Sequence, residues 1–350
     1  MHLHGVQRSL RISPGRSNSA FASPGEAGEA ERPLAELNTL AAPFPLEGAG
    51  GRAASGWTPQ CTYRERAFVG NDMTHLVDIL EARRCANPEA LAAMRRALAR
   101  LDREGRLNLT QERFALLGAG AEIAPTRMLL EAGAEVLWTD VRPPPDALAT
   151  GPGKLFHAQG RGDLLLAPDR VAASLLAFVE AGGGAPIHLG LFAYGPGSGR
   201  EWRLAAAMNA VVAALPEDAL RSVALYVSPT SPAELSASDD VEANRRFETR
   251  PFWQRSLLAT RALEQRRIDP HLPPVSDTIV SLQGMSYQAA QWIEKTLAME
   301  TLRAARPSLR VSANVAPVTE TRSLEHPLFR AAFRGAPIFG AESVAPDVTQ

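Results

Sequence analysis

The chain of 350 residues predicts an α/β protein, a doubly wound and mostly parallel sheet with a helical lead-in ahead of it. Three observations carry this expectation. Apolar runs of strand length alternate with helical patterns from Arg113 onward. The first run ends in a glycine turn, Gly118-Ala119-Gly120, and the next ends in an acid, Asp140. Hydrophobic residues make up 45% and charged residues 21%, the balance of a soluble, globular chain with enough apolar side chains for a large core.

In order along the chain, residues 1–55 are rich in Gly, Ala, Ser and Pro, show no helical or strand period, and read as a flexible tail. The first 25 residues carry Arg8, Arg11 and Arg16 and no acid, a composition that also fits an organelle transit peptide. A disordered tail on a cytoplasmic protein is the favoured reading. Residues 56–112 form the lead-in, with a helical pattern from about Cys61 to Leu109. Asn87-Pro88 supplies a helix start and Gly105 a stop. Residues 113–350 form the main domain. "RFALLGAG", "AEVLWTDV", "KLFHAQ", "PIHLGLFAYG", "SVALYVSP" and "LRVSANVAP" read as its strands. Residues 232–280 interrupt it as an insertion containing "RRFETRPFWQRSLLATRALEQRR", a basic and aromatic surface stretch.

Charge and cysteine usage exclude several classes. Net charge is −1 with no basic block, which argues against nucleic acid as a partner. No apolar run reaches about 18 residues, so no membrane span is expected. Cys61 and Cys85 read as two unpaired thiols. The seven histidines show no metal spacing. Arg and Lys together number 37, and only two, Lys154 and Lys295, are lysines, which makes both conspicuous.

A glycine turn between strand and helix lets the backbone bend tightly and lets a pyrophosphate approach free N–H groups at the helix start. Asp140, at the end of the second strand, is placed to accept hydrogen bonds from an adenosine ribose and to repel a 2′-phosphate. NAD is therefore the expected cofactor, with NADP as the alternative because Arg142 lies two residues on. An ordinary strand–turn–helix and an S-adenosylmethionine-dependent methyltransferase share this layout.

From Arg113 to Thr321 the chain resembles a divergent short-chain dehydrogenase/reductase, a Rossmann family that binds NAD(P). The family's opening motif, Thr-Gly-x-x-x-Gly-x-Gly, falls on Leu117 to Ala124, so Gly118 keeps the first glycine and Ile123 the following variable position, while Glu122 replaces a glycine. "GRGDLLLAPDRVAASLLAFV" resembles the third strand and helix, which points to Asp163 and Leu164 at the adenine. "GLFAYGPGSG" stands where the family has Asn-Asn-Ala-Gly and points to Gly195. "AAAMNAVVAAL" implicates Asn209, and "VALYVSPTSP" implicates Ser228 as the serine that holds the substrate carbonyl. "SYQAAQWIEKTLAMETLRAARPSLRVSANVAPVTETRS" mirrors the Tyr-x-x-x-Lys helix, the next strand and the turn over nicotinamide, with Tyr287 as the proton donor and Pro317 and Thr319 at the cofactor.

Ser228 and Tyr287 are 59 residues apart, a gap that the insertion explains unless Ser281 takes the serine's place. The family's lysine lies four residues after the tyrosine, on the same helix face, and lowers its pKa. Here that position is Gln291, a ribose partner without charge; Lys295 lies a further turn away, about 12 Å from Tyr287 along an ordinary helix. The resemblance implies an NAD(P)-dependent oxidoreductase acting on a small carbonyl or hydroxyl compound, and a homo-oligomer. The alternative is a catalytically degenerate Rossmann protein acting as a dinucleotide-binding sensor or scaffold.

Overall fold

A computed structural model describes residues 11–12, 32–33, 37, 40–51, 56–83, 85–86, 88–158, 162–195, 199–228, 231, 233–262, 275–276, 284–316, 327 and 330–331. The chain divides into two compact units. The first comprises residues 1–58, 106–229 and 280–350, and the second 59–105 and 230–279.

The first unit is built on a seven-stranded sheet. Its strands are β1 (Leu46–Gly50), β2 (Arg113–Leu117), β3 (Glu135–Thr139), β4 (Lys154–Ala158), β5 (Ile187–Leu191), β6 (Leu220–Val227) and β7 (Arg310–Val315). Their spatial order is β7-β6-β5-β2-β3-β4-β1. All neighbours run parallel except β1, which lies antiparallel on β4. From β2 the chain moves outward through β3 and β4, then crosses to the other side of β2 to lay down β5, β6 and β7. That reversal makes β2 and β5 the switch point of a doubly wound, Rossmann-like α/β fold, as the sequence predicts.

The period of two along the strands sends alternate residues to opposite faces. Ala115, Leu117, Leu137, Leu189, Leu191, Val223 and Leu225 share one buried cluster with Val171, Leu175 and Phe178 of helix α2 (Pro168–Ala181) and Met208, Val211 and Val212 of α3 (Arg200–Ala214). Leu116, Val136, Trp138 and Leu155 face the other way, against Leu129 and Leu130 of α1 (Thr126–Glu131). After the second unit's insertion, α4 (Gly284–Ala289) runs into a π-helix (Ala290–Leu297) and then α5 (Ala298–Ala305), which leads to β7.

Two features depart from the sequence reading. The tail contributes β1, and Phe44 just before it is buried, its N–H donating to Ser174 Oγ at 2.9 Å. The lead-in, in the second unit, does not begin as helix. Gln60–Tyr63 and Arg66–Val69 form an antiparallel hairpin closed by Arg64 and Glu65, both at positive φ (47° and 66°), the backbone of a tight two-residue hairpin turn. Helices Met73–Ala82 and Pro88–Leu98 follow, bridged by Arg95 to Asp78 and Glu81. The insertion carries helices Ala237–Glu248 and Phe252–Ala259. The two cysteines are free thiols.

Candidate functional site

In an open doubly wound sheet, ligands bind outside the C-terminal ends of the strands at the switch point. Gly118 leaves β2 at this place with φ +84°, and a Cβ on it would lie 2.3 Å from the Ala193 nitrogen beyond β5. Its N–H donates to the Thr139 carbonyl at 2.8 Å. Glycine is thus demanded by the closeness of two backbones, before any ligand is considered.

The turn that follows does not run straight into a helix. The Gly120 N–H donates to Asp140 Oδ2 at 3.0 Å, and the Arg142 N–H donates to Oδ1 at 3.1 Å. The Ala121 N–H reaches the Gly118 carbonyl and the Ala124 N–H the Ala121 carbonyl, each at 3.0 Å. Ile123 and Glu122 are half-buried in this turn. Helix α1 begins only at Thr126, is six residues long, and has Pro125, which carries no N–H, at its N-cap. Thr126 Oγ1 donates to the Ala119 carbonyl at 2.7 Å, tying the helix start back to the turn. The amides of Gly120, Ala121 and Ala124 therefore already have acceptors within the protein. Asp140 is bonded to the turn it was expected to complement.

The other nucleotide-side residues are engaged locally. Asp163 Oδ1 accepts the N–H groups of Leu165 at 2.7 Å and Leu166 at 3.2 Å, closing the turn before α2. Leu164 lies inside the core rather than facing a crevice. Pro317, Thr319 and Ser281 lie outside the described residues.

The tyrosine side is assembled as a cluster. Tyr287 is hydrogen-bonded to Ser228 across the insertion. The Ser228 N–H donates to Gln291 Oε1 at 2.9 Å, and Gln291 Nε2 donates to Glu201 Oε1 at 3.0 Å. Glu201 Oε1 also meets Lys295 Nζ at 2.7 Å, and its Oε2 accepts the Gly195 N–H at 3.0 Å. Lys295 Nζ additionally donates to the Tyr226 carbonyl at 3.3 Å. Glu201, Gln291 and Lys295 are all buried. Burial pushes the Tyr287 phenol up to about 12; the Ser228 hydrogen bond opposes this and the negative charge of Glu201 adds to it. The hydroxyl is accordingly a donor, not a base, at neutral pH.

Asn209 does not join this pair. Its Nδ2 donates to the Glu294 carbonyl at 2.6 Å and to Glu294 Oε2 at 2.8 Å. Glu294 is fully buried, and its Oε1 has no hydrogen-bond partner among the described residues. Burial raises its carboxyl to about 7, with the Asn209 bond opposing. A folded-state pKa above the unfolded value gives stability that is fully present below about pH 4.5 and lost as pH rises through 7. The loss is about 3 kcal/mol. Glu294→Gln keeps the Asn209 bond and removes the titration. It is expected to raise the urea-unfolding free energy by about 3 kcal/mol at pH 8 and to change it little at pH 4. An equal gain at both pH values would contradict the assignment.

Glu201 and Glu294 carry no sequence signal that separates them from ordinary helix acids. Lys295 does stand out, as one of only two lysines. No protein-family model and no curated protein matches this chain. What the fold and the site define is a Rossmann-like α/β protein with a serine–tyrosine pair beside a buried ion pair. Among the described residues no helix is long and apolar enough to cross a membrane.

Proposed function

We propose that this chain is a catalytically degenerate Rossmann-like protein, a sensor or scaffold in which the dehydrogenase machinery has become internal structure. The observation that carries this reading is the bond from the Gly120 N–H to Asp140 Oδ2. It occupies the amide a pyrophosphate would use and the carboxylate a ribose would use. The pairing of Lys295 with Glu201 supports it, because the lysine charge is held by a carboxylate and does not lower the tyrosine pKa.

Titration with NAD(H) and NADP(H), followed by intrinsic tryptophan fluorescence, is expected to show no saturable binding below millimolar concentration. Asp140→Ala frees the Gly120 amide and is expected to tighten dinucleotide binding. If Asp140 instead serves the ribose, the same substitution weakens binding. Micromolar binding in the wild type that Asp140→Ala weakens would overturn the proposal.

One observation favours the oxidoreductase reading, the hydrogen bond between Ser228 and Tyr287. A neutral phenol beside a serine hydroxyl can hold a small-molecule carbonyl and donate its proton during reduction by NADH or NADPH. That reading requires turnover that Tyr287→Phe abolishes while dinucleotide binding is kept.

A further inference from the structure

The opposite, N-terminal end of the sheet carries a second constellation. Ser222 of β6, His188 of β5 and Glu112, just before β2, come from three neighbouring strands. Ser222 and Phe114 are the register neighbours of His188 on either side, so the three side chains share one sheet face. Ser222 Oγ is 2.7 Å from His188 Nδ1, and His188 Nε2 is 3.2 Å from Glu112 Oε2. With a carboxylate on Nε2, that nitrogen carries the proton and Nδ1 presents its lone pair to the serine hydroxyl. Arg221 NH1 holds Glu112 Oε2 at 2.9 Å, and Phe114 stacks on the imidazole at 4.7 Å and 22°. Ser222 and His188 are half-buried, so both reach solvent.

The register between β5 and β6 shifts between Leu220 and Ser222, inserting Arg221 as an extra residue. Such bulges re-aim side chains and recur beside active sites. A cavity of about 850 Å³ opens here, lined in part by Leu220, Arg221 and Arg310. Arg310 is the register partner of Ser222 on β7, a cation on the same face.

We infer that Ser222, His188 and Glu112 form a nucleophile, a general base and its positioning carboxylate, and that this end of the sheet cleaves small carboxylic esters. The roles are set by geometry, not by order along the chain. Ser222 Oγ bonds to the acyl carbon as its proton passes to His188 Nδ1. The carbonyl oxygen takes the electron pair beside Arg310. The carbon–alkoxy bond then breaks, and the alkoxide leaves with the proton from Nδ1. Water, deprotonated by the same nitrogen, cleaves the acyl-serine and restores the enzyme.

The test uses the full chain with a fluorophosphonate probe and p-nitrophenyl acetate, with peptide mapping of the label. The label is expected on Ser222, and Ser222→Ala is expected to lose labelling and to reduce ester hydrolysis to the buffer rate. His188→Gln is expected to slow both by at least 100-fold, as removal of a general base does. Glu112→Gln is expected to move the pH midpoint of labelling, which loss of a merely structural contact would leave in place. Circular dichroism of each variant establishes that it is folded. A folded wild type that leaves Ser222 unlabelled overturns the inference, as does ester hydrolysis that survives in folded Ser222→Ala.

Discussion

Gly118→Ala is expected to destabilise the protein by about 3–5 kcal/mol, enough to lower Tm by roughly 10 °C. Two independent costs add. The residue sits at φ +84°, a conformation that L side chains rarely adopt, and its Cβ would fall 2.3 Å from the Ala193 nitrogen and 2.4 Å from its Cα. Both atoms belong to the backbone beyond β5, so no side chain can rotate away. Relief would require β2 and β5 to separate at the centre of the sheet. The check is thermal or urea unfolding of the purified variant. A change under about 1 kcal/mol would mean that the two strand ends do not approach as described.

Lys295→Met is expected to cost about 3–5 kcal/mol at neutral pH, the usual consequence of stranding one member of a buried ion pair. Glu201 keeps the Gly195 N–H and the Gln291 amide as donors, but these are dipoles, and its charge is then unbalanced. The double variant Glu201→Gln/Lys295→Met is expected to recover most of the loss, because the desolvation cost of both ions disappears together. A double-mutant cycle in urea reads the coupling directly. Independent, additive losses in the two single variants would show that the pair acts through packing and not through charge.

The parallel strands were legible because buried strands read as short apolar runs, and "RFALL", "EVLWT" and "IHLGL" do so plainly. β1 was not legible. "LEGAG" has two glycines and little buried surface, and its place comes from edge pairing with β4 rather than from any pattern of its own. The hairpin at Gln60–Val69 was hidden for another reason: its turn uses Arg and Glu at positive φ, where Gly or Asn would have announced it.

The same division applies to the site. Ser228 and Tyr287 were found through their resemblance to a known arrangement, and they do meet. The plugging of the glycine turn by Asp140 was not visible, because a carboxylate at that position suits a ribose and a backbone amide equally well. Glu201 was not visible either. An acid in the first turn of a helix is commonplace, and only tertiary structure shows that it faces a lysine.

The uneven sequence separations within the sheet bear on how it assembles. Arg113 and Glu135, which open the β2–β3 ladder, are 22 residues apart, whereas Ser222 and Arg310 in the β6–β7 ladder are 88 apart and Gly50 and Lys154 in the β1–β4 ladder 104 apart. Closing the longer loops costs more chain entropy before any contact repays it. The central strands thus form a nucleus of near neighbours, and both outer strands are recruited to it from a distance. β7 follows the insertion, so a nascent chain has to emerge almost entirely before its last parallel pairing can form. Until then β6 offers an unpaired edge, the kind of template that chaperones shield and neighbouring chains exploit.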